Sequence, residues 1–261
     1  MAADVLDYRI IGDDMQAVIV TLDPSEACVA EAGSMLYMQE GIEMATQLSM
    51  SQGKGLFSKL FEAGKRMVVG ESFFITYFEN HGQARSDVAF SAPYPGKIVP
   101  MELSQHGGTI ICQKDSFLCA ARGVQIDIAF TKKIGAGFFG GEGFILQKVS
   151  SPTGEGLAFI HAGGTIVEHT LKPGQLLRVD TGCLVAFQTS VDYDIQMVPG
   201  LKNKLFGGEG IFFVALRGPG RVWLQTLPFA RLADRIMMAS RRKGNTEEGS
   251  LLGGLLMGDK N

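Results

Sequence analysis

The sequence predicts an all-β chain of three tandem antiparallel β units, related by a pseudo-threefold repeat and followed by one C-terminal amphipathic helix. Three observations carry that expectation. First, Phe206-Gly207-Gly208-Glu209-Gly210-Ile211-Phe212 is a near copy of Phe139-Gly140-Gly141-Glu142-Gly143-Phe144-Ile145, 67 positions earlier (209 − 142). A worn third copy, Gly70-Glu71-Ser72-Phe73-Phe74, stands 71 positions before that (142 − 71). Self-similarity at a fixed period marks units that bury their apolar faces against one another. Second, 34 glycines among 261 residues suit many short strands joined by tight turns. Third, helical spacing of apolar residues is scarce until Pro228 has passed.

In chain order, the runs Ala17-Val18-Ile19-Val20 and Ala27-Cys28-Val29-Ala30 are broken by Asp23-Pro24-Ser25 and Ala32-Gly33-Ser34, which reads as strand, turn, strand, turn. The stretch Glu31 to Leu36 resembles Lys114 to Leu118 and Asp180 to Leu184, each a polar turn between apolar strands, so each unit is expected to open with a hairpin. A strand follows each Gly-Glu turn, over Phe73 to Phe78, Phe144 to Val149 and Ile211 to Leu216. Each is then expected to find a hairpin partner, at Ala84 to Ala92, Gly156 to Ala162 and Gly220 to Leu227, across turns rich in Asn, Gly and Pro. The connecting segments repeat as well, Gly96 to Leu103 matching Gly164 to Leu171 at an offset of 68 (164 − 96).

After Pro228, residues Phe229, Leu232, Ala233, Ile236 and Met237 fall at helical spacing, with Arg241, Arg242 and Lys243 complementing the dipole and Gly244 as cap. The organisation is thus a single β domain over 1–228, its repeats at about 7–95, 96–163 and 164–228, then a helix over 229–243 and a flexible apolar tail over 244–261.

Composition narrows the function classes. A hydrophobic content of 46% supports a sizeable core, and a net charge of −3 argues against broad attraction to nucleic acid. The first twenty residues carry Asp4, Asp7, Asp13 and Asp14 and lack the pattern of a signal peptide; with no long apolar run elsewhere, the expected location is cytoplasmic. Cys28, Cys112, Cys119 and Cys183 form no paired motif and read as buried thiols.

Three constellations bear on chemistry. Glu71, Glu142 and Glu209 stand at equivalent positions and offer an acidic ring, but a glutamate in a glycine-rich turn more simply accepts backbone N–H groups, so a structural role is expected. Among His81, His106, His161 and His169 there is no His-x-His pair; His161 and His169, with Glu168, are the one combination for a cupin-like metal site, and the expectation is that neither metal nor cofactor is bound. Gly135 to Gly140 fills GxGxxG only superficially, lacking a βαβ setting. The best surface candidate joins basic and aromatic residues in three equivalent connections: Lys54, Phe57, Lys59 and Phe61; Lys132, Lys133, Phe138 and Phe139; Lys202, Lys204 and Phe206. Gathered at one end, they would suit a subunit interface, an acidic protein or an anionic membrane surface.

Leu205 to Phe212, its copy at Phe138 to Ile145 and the strand-rich units around them resemble the altered-inheritance-of-mitochondria family, over roughly Asp7 to Leu227. The resemblance implies a fold like that of the trp RNA-binding attenuation protein, an antiparallel β architecture related to double-stranded β-helices. It also implies fungal relatives associated with mitochondrial organisation and bacterial ones mostly uncharacterised, and it brings no catalytic residue to any position here. The reading is a non-enzymatic homo-oligomeric β protein acting by binding or scaffolding. A small-ligand- or RNA-binding regulator is the alternative, and a metal-dependent cupin-like enzyme comes third.

Overall fold

Runs of β-branched and aromatic residues between Gly, Asn and Asp turns become strands in a computed structural model of the chain, which describes residues 2–31, 33–49, 73–132, 144–197 and 212–240. The first stretch holds β1 (Asp7–Ile11), β2 (Ala17–Leu22), β3 (Ala27–Glu31), β4 (Met35–Met38), β5 (Ile42–Ser49), β6 (Phe73–Asn80) and β7 (Ser86–Ser91). The second holds β8 (Gly96–Glu102), β9 (Thr109–Gln113), β10 (Phe117–Ala121), β11 (Gln125–Lys132), β12 (Phe144–Ser150) and β13 (Leu157–Gly163). The third holds β14 (Ile166–Leu171), β15 (Leu176–Asp180), β16 (Leu184–Gln188), β17 (Asp192–Met197), β18 (Phe212–Arg217) and β19 (Gly220–Gln225). An α-helix, α1, spans 229–240 of the described residues. The molecule is therefore mostly antiparallel β with a C-terminal helix, as expected.

Among the described residues four sheets form, in the orders β1-β2-β7-β4, β5-β6-β3-β10-β13-β8, β11-β12-β9-β16-β19-β14 and β15-β18-β17. One pairing scheme recurs, with β2, β8 and β14 each the first of six strands: the first pairs with the sixth, the sixth with the third, the fifth with the fourth and the fifth with the second. The two six-stranded sheets are joints between stretches, made where β3 meets β10 and where β9 meets β16. The Gly-Glu turns that first suggested the repeat lie almost wholly outside the described residues.

The expected hairpins are corrected in two places. Strands flanking Glu31–Ser34, Lys114–Ser116 and Thr181–Cys183 do not pair with each other; each turn carries the chain from one sheet to another. The same holds for β6 and β7, β12 and β13, and β18 and β19, whose short turns are bridges between sheets. Asn80 shows the cause. Its side-chain amide donates to the Leu22 carbonyl at 2.9 Å and the Ala84 carbonyl at 2.8 Å, while its oxygen accepts the Gly82 N–H at 2.9 Å. The chain is thereby tied to β2 in the other sheet. The true hairpins are β5–β6, β11–β12 and β17–β18.

Alternate residues of these strands face inward because successive side chains point to opposite sides of a sheet. The larger core gathers Val18, Val20, Phe78, Phe90, Phe117, Phe159 and Trp223; a second, around β14 to β19, gathers Phe144, Leu184, Phe187, Val214 and Leu216. Phe78 and Phe90 meet edge to face at 5.1 Å across the two sheets that Asn80 ties together. Such a pair adds roughly 0.5–1.5 kcal/mol beyond the burial of its area.

The helix departs from expectation. Its start is held, by Phe229 against Tyr94 at 5.3 Å and by the Arg231–Asp180 ion pair at 3.0 Å, with Leu232 and Ala233 half-buried. Ile236, Met237 and Met238 are 61%, 56% and 52% exposed rather than closing the fold.

Candidate functional site

A cavity of about 460 Å³ opens where α1 begins. Its walls come from corners of the pairing scheme: Glu31 ends β3, Gln113 ends β9 with Asp115 just after it, and Gly182 follows β15. Tyr94 and Pro93 enter from the link between β7 and β8, and Pro228, Phe229 and Asp234 from the start of α1.

Tyr94 is the centre of this arrangement. Its ring stands edge-on to His161 at 4.6 Å and tilted against Phe229 at 5.3 Å, and its hydroxyl donates to the Asp115 carbonyl at 3.4 Å. Burial, then the charges of Asp115 and Glu31, raise the Tyr94 hydroxyl above its ordinary value, so it stays a neutral donor. Gln225 fixes the floor. It accepts the Gly163 N–H and donates to the Gly182 carbonyl, both at 2.8 Å. Gly163 itself lies against the Leu227 carbonyl so closely that a Cβ would collide with it, and a glycine lets the link after β13 touch the chain leaving β19.

Two buried polar atoms near this floor have no hydrogen-bond partner among the described residues: Gln113 Oε1 and His161 Nδ1. Burial depresses His161 to about 4, which keeps the ring neutral at pH 7. The result is an aromatic slot with a carboxylate rim of Glu31, Asp115 and Asp234. Its chemistry suits a small, partly apolar ligand bearing a positive charge, since rings offer their faces and carboxylates their charge to a cation.

Of the residues singled out in the sequence, His161 meets this site, against Tyr94. Lys132 closes β11, with nothing described of its side chain. Lys54, Phe57, Lys59, Phe61, Lys133, Phe138, Phe139, Lys202, Lys204 and Phe206 lie outside the described residues, as do Glu71, Glu142 and Glu209. The 244–261 tail lies outside them too. His161 and His169 are in different sheets, paired with Ile98 and Val222, and only His161 is buried. Its buried ring instead packs on Tyr94. His106 sits elsewhere, edge-on to Trp223 at 5.3 Å.

Cys28, Cys112 and Cys119 are buried, while Cys183 is only partly so. Burial pushes Cys112 up to about 12 and raises the other three as well, so none of these thiols supplies a thiolate near neutral pH. The cavity was illegible in sequence because separate turns build it. The one available hint was that Pro93-Tyr94-Pro95 places a large aromatic at a link between units.

Comparisons with known proteins bear on the whole chain. A family model described as mitochondrial biogenesis AIM24 matches residues 8–227. An uncharacterized protein of Streptococcus pyogenes serotype M6 is 29% identical over 219 residues, 84% of each chain. A crystal structure of a Streptococcus pyogenes protein is similar with a TM-score of 0.68 at 24% identity, covering 90% of this chain and 100% of that one, which shows the fold alone.

Proposed function

The chain belongs to the mitochondrial biogenesis AIM24 family, and on that footing we propose that it works as a non-enzymatic, homo-oligomeric binding or scaffolding module. One observation supports this most: exposed large apolar side chains are concentrated on two elements. On β4, Met35, Leu36, Tyr37 and Met38 are 38%, 56%, 37% and 40% exposed; on α1, Ile236, Met237 and Met238 are all more than half exposed. Scattered apolar residues need no explanation, but contiguous ones on one strand and one stretch of helix mark a surface built to be covered. Light scattering of the full chain tests the reading: a species heavier than one chain is expected, and a single-chain mass at every concentration would overturn it. An assembly like that of the trp RNA-binding attenuation protein, and work in the cytoplasm, are the finer parts of the proposal. Among the described residues, no helix is long and apolar enough to cross a membrane.

The cavity supports a second reading, a small-ligand-binding protein. Its rings and carboxylates favour an organic cation. Titration with benzylamine and with neutral benzyl alcohol decides it. Preferential binding of the amine, lost in Tyr94→Ala, is expected, and equal or absent binding of the two removes the reading.

A further inference from the structure

Both joints in this chain share one register. Where β3 meets β10, Ala30 faces Cys119, Val29 faces Ala120 and Cys28 faces Ala121. Where β9 meets β16, Cys112 faces Ala186, Ile111 faces Phe187 and Ile110 faces Gln188. Counted from the turns that join each unit's second strand to its third, these are the same positions: Gln113 and Phe117 stand four positions apart, as do Asp180 and Leu184. The scheme leaves one second strand and one third strand unmatched. They are β15 and β4, each at the edge of its sheet.

Everything else about β4 fits it for a joint. It pairs with β7 through the same irregularity after its first residue that β10 shows on β13 and β16 on β19. Of the eight strands at sheet edges among the described residues, seven carry a charged residue, and β4 carries neither a charge nor a proline. Charges and prolines are among the devices that keep open edges from pairing indiscriminately with other chains. A strand of Met35, Leu36, Tyr37 and Met38, more than a third exposed throughout, lacks that protection.

We infer that β4 of one copy pairs antiparallel with β15 of a second copy, reproducing the internal joint with Tyr37 facing Val179, Met38 facing Arg178 and Gln39 facing Leu177. This rests on the reading of the protein as a homo-oligomer and names the surface that builds it. Each copy offers one β4 and one β15, so every copy can take a neighbour at both edges, and each new sheet has seven strands, the six of an internal joint plus β1. A head-to-tail contact of this type closes into a ring or propagates, depending on the rotation between copies.

Two singly substituted full-length chains test it. Met38→Cys and Arg178→Cys, mixed under mild oxidation, are expected to form a disulfide between unlike chains, because directly opposed strand positions bring Cα atoms within bonding range. Met38→Cys mixed with Leu176→Cys, two positions out of register, is expected to react several-fold less. Met38→Lys is expected to weaken association at least about tenfold by placing a charge in the joint while leaving the circular dichroism spectrum unchanged. A multimer that forms no such disulfide and ignores Met38→Lys overturns this joint and leaves the assembly reading standing. A wild-type chain that is never more than a monomer overturns both. In a third chain that carries both Met38→Cys and Arg178→Cys, a disulfide formed only within single chains shows that β15 closes on its own β4, and overturns the proposal of a second copy.

Discussion

Strands β10 and β4 occupy the same place in the pairing scheme and meet opposite surroundings. All five residues of β10, Phe117 to Ala121, are buried, whereas all four of β4 are exposed. Each is third in its unit, and each pairs with its own sixth strand through the same irregularity. They differ in one neighbour: β10 has β3 on its outer edge and β4 has nothing among the described residues. Burial here is conferred by the adjoining unit rather than by the strand's own fold. The side chains match that difference. Ala120 and Ala121 allow close packing, while Met35, Leu36, Tyr37 and Met38 are large and adaptable.

The largest effect that separates the two strands is a truncation. Phe117→Ala should cost roughly 3–5 kcal/mol, because it opens a cavity in a closed core, and Met35→Ala at the matching position should cost no more than about 1 kcal/mol in the dissociated single chain. Chemical denaturation of both variants measures this. Similar losses would mean that β4 is covered within the chain and that the comparison fails.

Acid sharpens the contrast. His161 lies on β13, beside β10, and is held neutral with its pKa lowered to about 4. A histidine depressed in the folded state stabilises fully above its unfolded value near 6.5 and loses that contribution as pH falls toward 4, about 3 kcal/mol in all. His161→Gln should flatten the stability profile over that window. A profile unchanged by the substitution would show that the ring is not excluded from protonation.

On the other side, β7 carries Asp87 beside β4. The Thr21 hydroxyl, donating at 2.7 Å, and then Arg9, at 2.9 Å, hold its carboxyl below the ordinary value. Its contribution is present above the usual carboxylate range and is lost only as pH falls through the lowered folded value. The expected cost of Asp87→Asn is smaller, about 1–2 kcal/mol at pH 7. A thermal melt of that variant that matched wild type at pH 7 would remove Asp87 from the account.

Much of the architecture was readable. The positions of β6, β12 and β18, and of β8 and β14, followed from repeated apolar runs and from Asn, Gly and Pro between them. Their partners were not readable. Adjacent strands joined by a short turn read as a hairpin by default, and the Asn80 side chain that sends the chain to the opposite sheet looks in sequence like any turn asparagine. The edge strand β1 lacked a strong apolar alternation and escaped notice. The cavity stayed hidden because Tyr94, Gln113 and Phe229 become neighbours only after the sheets assemble.

The joints between stretches also set a timetable for the ribosome. Strand β3 ends at Glu31 and its outer neighbour β10 begins at Phe117, 86 residues later (117 − 31). At synthesis rates of about 5–20 residues per second, the β3 edge waits roughly 4–17 s for its partner. The β9 edge, ending at Gln113, waits in turn for β16, which begins at Leu184. During that interval the nascent chain presents an apolar edge of Ala27, Cys28, Val29 and Ala30, the exposure that β4 retains in the finished fold. Amide exchange on stalled chains makes the timetable measurable: β3 should be labile in a chain that stops before Phe117 and protected once Ala121 has cleared the exit tunnel, and early protection would mean that another segment guards the edge.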